Sequence, residues 1–125
     1  MGCPFCSIPA TRVVAQDSLT ITFRDGYPVS PGHTLIIPRR HITSIFDATV
    51  DEQHALLRGL AAAKIVLDVE HKPDGYNIGI NDGAPAGQTV FHLHVHLIPR
   101  FVGDTSNPRG GIRHCISGKG EPRQS

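Results

Sequence analysis

At 125 residues, with 39% hydrophobic and 18% charged content, the chain has room for one domain and a single core, and no length for a second folded module. A formal charge of +1 gives no ground for nucleic acid or an anionic membrane as the main partner. No run approaches the roughly 20 apolar residues of a membrane span, and no apolar block follows Met1 as a secretion signal requires, so the expected location is cytoplasmic.

The first element to read is Cys3-Pro4-Phe5-Cys6, a C-x2-C pair that suits a metal site in a reducing compartment better than a disulfide framework. Leu19, Ile21 and Phe23 then alternate with Thr20, Thr22 and Arg24, the period of a half-buried strand. Asp25-Gly26-Tyr27-Pro28 and Ser30-Pro31-Gly32 punctuate a loop, and Thr34-Leu35-Ile36-Ile37 forms a more deeply buried strand ending at Pro38. Ile42, Ile45 and Phe46 make a short apolar patch worth one or two helical turns.

One long helix is predicted from Thr49, where Thr49 and Glu52 have capping-box spacing and the acids of the first turn complement the helix dipole. Leu56, Leu60, Ala63 and Leu67 give it an apolar stripe, and Pro73-Asp74-Gly75 closes it. Tyr76, Ile78 and Ile80 alternate with Asn77, Gly79 and Asn81 in a further strand. A glycine-bearing loop from Asp82 to Thr89 leads into Phe91-His92-Leu93-His94-Val95-His96-Leu97-Ile98. After Phe101 the periodicity stops, and residues 102–125 read as an extended or mobile tail. From Arg100 onward it holds five Lys or Arg against two acids, a local excess suited to assisting a polyphosphate. The fold class is α+β, a mostly antiparallel sheet packing one face on a helix.

The last strand carries the chemistry. Side chains two apart share a strand face, so His92, His94 and His96 line one surface while Phe91, Leu93, Val95 and Leu97 enter the core. Imidazole alternates between nucleophile, proton donor and hydrogen-bond donor near neutral pH. The middle ring is placed to attack phosphorus, its neighbours to stabilise the phosphoryl oxygens, and Gly83 and Gly87 to let backbone N–H groups converge on an anion. Metal binding by all three histidines is the rival use, weakened because a straight strand spreads its side chains.

The segment from Asn81 to Arg100, with Gly87-Gln88-Thr89 preceding the His-apolar-His-apolar-His run, is similar to the signature of the histidine triad superfamily. The block from Pro31 to His41 resembles that family's second hallmark, and the resemblance covers about residues 3–101. It implies a five-stranded sheet with one long and one short helix over residues 1–101, followed by the 102–125 tail. It further implies a nucleotide hydrolase or nucleotidyl transferase. Such an enzyme cleaves at the α-phosphate of dinucleoside polyphosphates or other adenylylated compounds and releases a nucleoside monophosphate. Carried onto this chain, His94 is the nucleophile, His96 contacts the phosphate, and His33 and His92 complete the cluster. Gln88 and Thr89 bond the phosphate or the bridging atom, and Asn81 joins the phosphate and ribose environment. Asp25 binds the ribose, unless it serves only as a turn residue before Gly26. Phe23 contributes to a purine pocket, unless it is simple core.

The resemblance also completes the cysteine pair. In the metal-bearing bacterial branch, His41 and His92 join Cys3 and Cys6 in a closed Cys2His2 site, which is structural zinc chemistry, and His92 is then mainly a zinc ligand that acts on the histidine cluster from behind; two unpaired thiols are the alternative. No catalytic metal is required, and a homodimer is implied. Two other readings stay open: a purine nucleoside phosphoramidase, and a dimeric nucleotide sensor without turnover. Intact His94 speaks against the sensor.

Overall fold

In the computed structural model, residues 2–121 are described, so Met1 and residues 122–125 of the predicted tail, Arg123 among them, lie outside the described residues. Five strands, β1 (Val13–Gln16), β2 (Thr20–Arg24), β3 (Thr34–Pro38), β4 (Gly75–Gly79) and β5 (Val95–Arg100), form one sheet in the order β1-β2-β3-β5-β4. Every pairing is antiparallel. One helix, α1 (Val50–Glu70), crosses one face. The expected α+β architecture is present, with the predicted short helix seen as a 3-10 turn at Ile45–Asp47. Among the described residues no helix is long and apolar enough to cross a membrane.

The start of α1 follows from its sequence. The Thr49 hydroxyl accepts from the Glu52 N–H at 3.1 Å while the Glu52 carboxylate accepts from the Thr49 N–H at 2.9 Å, satisfying two donors that a helix start leaves open. Glu52 is buried and also takes Arg40 at 2.8 Å, which holds its carboxyl below the ordinary range. Leu56, Ala63 and Leu67 then pack on Ile36, Leu93, Val95 and Leu97. Gly59 permits this approach, because a Cβ there would stand 3.1 Å from the Ile36 side chain.

Strand register divides the sheet into two faces. Ile36 opposite Val95 faces the helix, whereas Leu35 opposite His96 faces away. On the far face a smaller core of Phe23, Leu35 and Ile37 is covered by Phe5, Ile8 and Ile21. The histidines therefore share a face with a packed apolar floor.

The structure departs from the sequence reading in three places. Of the five strands that the resemblance implies, residue periodicity locates four and not β1. The histidine strand begins at Val95 rather than Phe91, and Phe91 is 49% exposed instead of core. Its predecessors leave the ladder because the Leu93 N–H donates to Ile42 O and the Thr43 hydroxyl donates to Phe91 O. Finally, the tail folds back rather than extending: Gly111–Cys115 forms a 3-10 turn against β4, with Ile112 beside Gly79, and Arg109 pairs with Glu121.

Candidate active site and adjoining metal centre

His94 and His96 open onto a cavity of about 310 Å³ on the face opposite α1. Pro4, Phe5, Arg12, Asp25, Leu35, Asn81, Gly87, Thr89 and Val90 are among its walls. The rings of His94 and His96 lie 5.1 Å apart, and His33, from the loop before β3, stacks obliquely on His96 at 5.2 Å.

Hydrogen bonds fix the protons. The Val29 N–H donates to His33 Nδ1 at 3.2 Å, so the His33 proton sits on Nε2 and is given to His96 Nδ1 at 3.0 Å. That leaves the His96 proton on Nε2. Asp25 Oδ2 lies 3.4 Å from His33 Nε2, while its Oδ1 accepts from the Tyr27 N–H at 2.8 Å. His94 Nδ1 donates to its neighbour His92 O at 2.8 Å, which leaves a lone pair on His94 Nε2. Burial lowers the pKa of His33, with Asp25 opposing. Burial, together with the His94 and His33 rings, takes His96 down to about 4. Both shifts favour neutral rings at His33 and His96, which leaves His96 Nε2–H as a hydrogen-bond donor, while the bond from His94 Nδ1 to His92 O leaves Nε2 free to act as a nucleophile.

Next to this cavity, the ligand atoms of Cys3, Cys6, His41 and His92 all lie within 4.8 Å of one another. Cys6 Sγ is 3.1 Å from His41 Nδ1, and His92 Nδ1 is 3.5 and 3.6 Å from Cys3 and Cys6 Sγ. A tetrahedral zinc with Zn–S near 2.3 Å and Zn–N near 2.0 Å spaces such donors about 3.5 Å apart. His92 Nε2 donates to Pro38 O at 2.8 Å, the outer bond that directs the Nδ1 lone pair at a metal. The Phe5 N–H donates to Cys3 Sγ at 3.3 Å, which suits a thiolate. The donor set fits zinc. Bound there, zinc would cross-link the N-terminal segment to the sheet through these four residues.

Sequence comparison then decides the family: the HIT domain matches residues 8–103. The chain belongs to the HIT family. A relative from Mycobacterium tuberculosis named AP-4-A phosphorylase is 35% identical over 109 residues, covering 82% of this chain and 56% of that protein. The crystal structure of a HIT family protein from Bacillus anthracis is 36% identical with a TM-score of 0.76, covering 82% of this chain and 75% of that one. A HIT family hydrolase from Legionella pneumophila is 39% identical with a TM-score of 0.63, over 78% and 91% of the two chains.

Within this HIT domain, Asp25, Asn81, Thr89, His94 and His96 all line the cavity, and His33 stands directly behind His96. Three expected residues do not. His92 is fully buried and turned towards the thiols, so both ring nitrogens are spent away from the histidine cluster. Phe23 is also fully buried, beneath Phe5 at 5.3 Å, and forms floor rather than wall. Gln88 is buried with its amide consumed: Nε2 donates to Thr43 O and Val90 O, and Oε1 accepts from the Gly83 N–H. The N–H groups of Ala86, Gly87 and Gln88 are likewise bonded inside the loop, so they do not converge on an anion. Gly87, at φ +97°, lets the chain turn beside Asn81 and pass Thr89 into the cavity.

Sequence reasoning missed Pro4, Phe5, Arg12 and Leu35 as cavity residues. For Phe5 a signal existed, because the two residues inside a C-x2-C turn are placed by whatever holds the cysteines. Arg12 carried none; its guanidinium lies 5.3 Å over the Phe23 ring and donates to Arg24 O.

Proposed function

We propose that this protein is a nucleotide hydrolase or nucleotidyl transferase that breaks the bond between an α-phosphate and its leaving group by way of a nucleotidyl-His94 intermediate. The observation that carries the reading is the single bond from His94 Nδ1 to His92 O, which leaves Nε2 as the nucleophilic atom facing the cavity. In the first step the Nε2 lone pair forms a bond to phosphorus as the bond to the leaving group breaks, its electron pair departing with that group. In the second step water adds to phosphorus, the P–N bond returns its pair to His94, and a nucleoside monophosphate leaves. His96 Nε2–H serves the phosphoryl oxygens, joined by Thr89 and Asn81. Asp25 offers a carboxylate to the ribose hydroxyls, and Phe5 and Leu35 give apolar surface to a purine.

Dinucleoside polyphosphates are the favoured substrates. A neutral His96 stabilises an anionic polyphosphate leaving group without having to surrender a proton, whereas a phosphoramidate's amine must be protonated to depart. The AP-4-A phosphorylase relative supports the same class.

The active unit is a homodimer. Among the described residues β4 pairs only with β5 and so presents a free sheet edge, next to an apolar groove of about 410 Å³. Leu57 and Ile78 on that groove are 64% and 49% exposed, a surface suited to a second copy of the chain.

Intact-protein mass spectrometry after acid-free quenching with diadenosine polyphosphate tests the chemistry. One adenylyl adduct on the wild type and none on His94→Gly is the expected result. Nucleotide binding with no adduct on either protein sinks the covalent route and returns the sensor reading.

A further inference from the structure

We propose that the Cys3, Cys6, His41 and His92 centre is energetically coupled to the nucleotide site, so that a bound zinc ion strengthens nucleotide binding and holds His94 in its reactive tautomer. The inference builds on the nucleotide reading above and adds its regulation by metal.

Two physical connections join the sites. The first runs through His92, which faces the metal with Nδ1 and Pro38 with Nε2, while its main-chain carbonyl accepts the His94 Nδ1 proton at 2.8 Å. A shift of His92 therefore moves the acceptor that decides which His94 nitrogen is protonated. The second runs through the turn between the thiols. Pro4 and Phe5 line the cavity, and the Phe5 ring meets His94 edge-on at 5.0 Å. Metal ligands thus flank both residues of that wall.

Little else holds the turn. Apart from the contacts of the two thiols with His41 and His92, its hydrogen bonds are local, from the Cys6 N–H to Cys3 O at 3.1 Å and from the Phe5 N–H to Cys3 Sγ, and among the described residues no strand or helix begins before Ala10. Phe5 and Ile8, packed on the Phe23, Leu35 and Ile37 core, are its other ties to the sheet. Releasing the metal frees two of the cavity's walls and loosens His92 at once. A nucleotide that needs both in place pays for that ordering when the metal is gone. Coupling of this kind is reciprocal, so nucleotide must tighten zinc by the factor by which zinc tightens nucleotide.

The test measures binding of AMP by calorimetry to the full chain in zinc-loaded and zinc-free form, and to zinc-loaded and zinc-free Phe5→Ala. Imidazole nitrogen NMR of His94 is recorded for each. Expected are AMP binding weakened about tenfold on zinc removal, zinc affinity raised by the same factor when AMP is present, and coupling that shrinks towards unity in Phe5→Ala. The His94 signal should move from a single Nδ1–H tautomer to a mixture when zinc leaves. Equal AMP affinity with and without zinc, together with an unchanged His94 tautomer, overturns the proposal. If AMP binds neither form, the nucleotide reading has failed, and the response of the His94 tautomer to zinc still decides the coupling. If the zinc-free chain unfolds, exchanging zinc for the larger cadmium ion decides it: an AMP affinity and a His94 signal that both change with the ion support the coupling, and an AMP affinity that does not change with the ion refutes it.

Discussion

His33 and His96 are 63 residues apart in sequence, yet their rings meet Nε2 to Nδ1 at 3.0 Å. Neither ring can choose its proton independently. The Val29 N–H sets His33, His33 sets His96, and the backbone of one loop thereby decides what the cavity receives.

Replacing His33 with Ala removes the donor to His96 Nδ1 and frees that ring to turn or change tautomer. Turnover should fall about a hundredfold, the scale of a lost proton-positioning group, with a smaller change in KM. His33→Gln, which keeps a donor near Nε2, should recover part of the loss. Steady-state kinetics on the three proteins checks this, and an unchanged kcat in His33→Ala removes the relay from the mechanism.

Acid should destabilise the fold through His96 before most carboxylates titrate. Its pKa is lowered from 6.5 to about 4 in the folded chain, chiefly by burial, so between those values the unfolded chain binds the extra proton. Stability therefore rises with pH across that window and is lost as pH falls from 6.5 towards 4. Urea midpoints from pH 7 to pH 4 measure it, and His96→Gln should flatten the slope.

Chelation of zinc should lower the melting temperature by several degrees, since an ion bound only by the folded chain stabilises it by mass action. Cys6→Ser should give a similar loss, and chelator should then add little. Thermal unfolding followed by circular dichroism, with metal content determined in parallel, distinguishes this from two independent effects.

Gln88→Ala should destabilise by about 1–3 kcal/mol, because it strips hydrogen bonds from a buried side chain and leaves the Thr43 and Val90 carbonyls without their donor. Gln88→Glu should rescue little, since a carboxylate cannot donate to either carbonyl. The denaturant midpoint reads both variants.

Much of this molecule was legible because its signals are local and periodic. The Thr49 and Glu52 capping box marks the first turn of α1, alternation marks β2 and most of β4, and the unbroken apolar run before Pro38 marks β3. The alternate histidines put His94 and His96 together on the cavity. β1 was illegible because it is an exposed edge strand, three of its four residues open to solvent, and shows no apolar alternation. The late start of β5 depends on Leu93 and Phe91 bonding to Ile42 and Thr43, long-range contacts that no spacing encodes. Gln88 misled for a related reason. A glutamine beside a histidine run can serve ligand or loop equally well, and only the positions of Thr43, Val90 and Gly83 assign it to the loop.

The strand that presents His96 continues into Arg100, where pairing with Asp104 turns the chain, and the following segment comes to rest with Ile112 against Gly79, the β4 partner of His96. Residues beyond 103, past the part of the chain that matches the HIT domain, thus pack on the strand next to the one that presents His96. Among the described residues, none beyond 103 belongs to either buried core. A change in that terminal segment therefore reaches the sheet through β4 and leaves untouched the packing that sets the histidines in place.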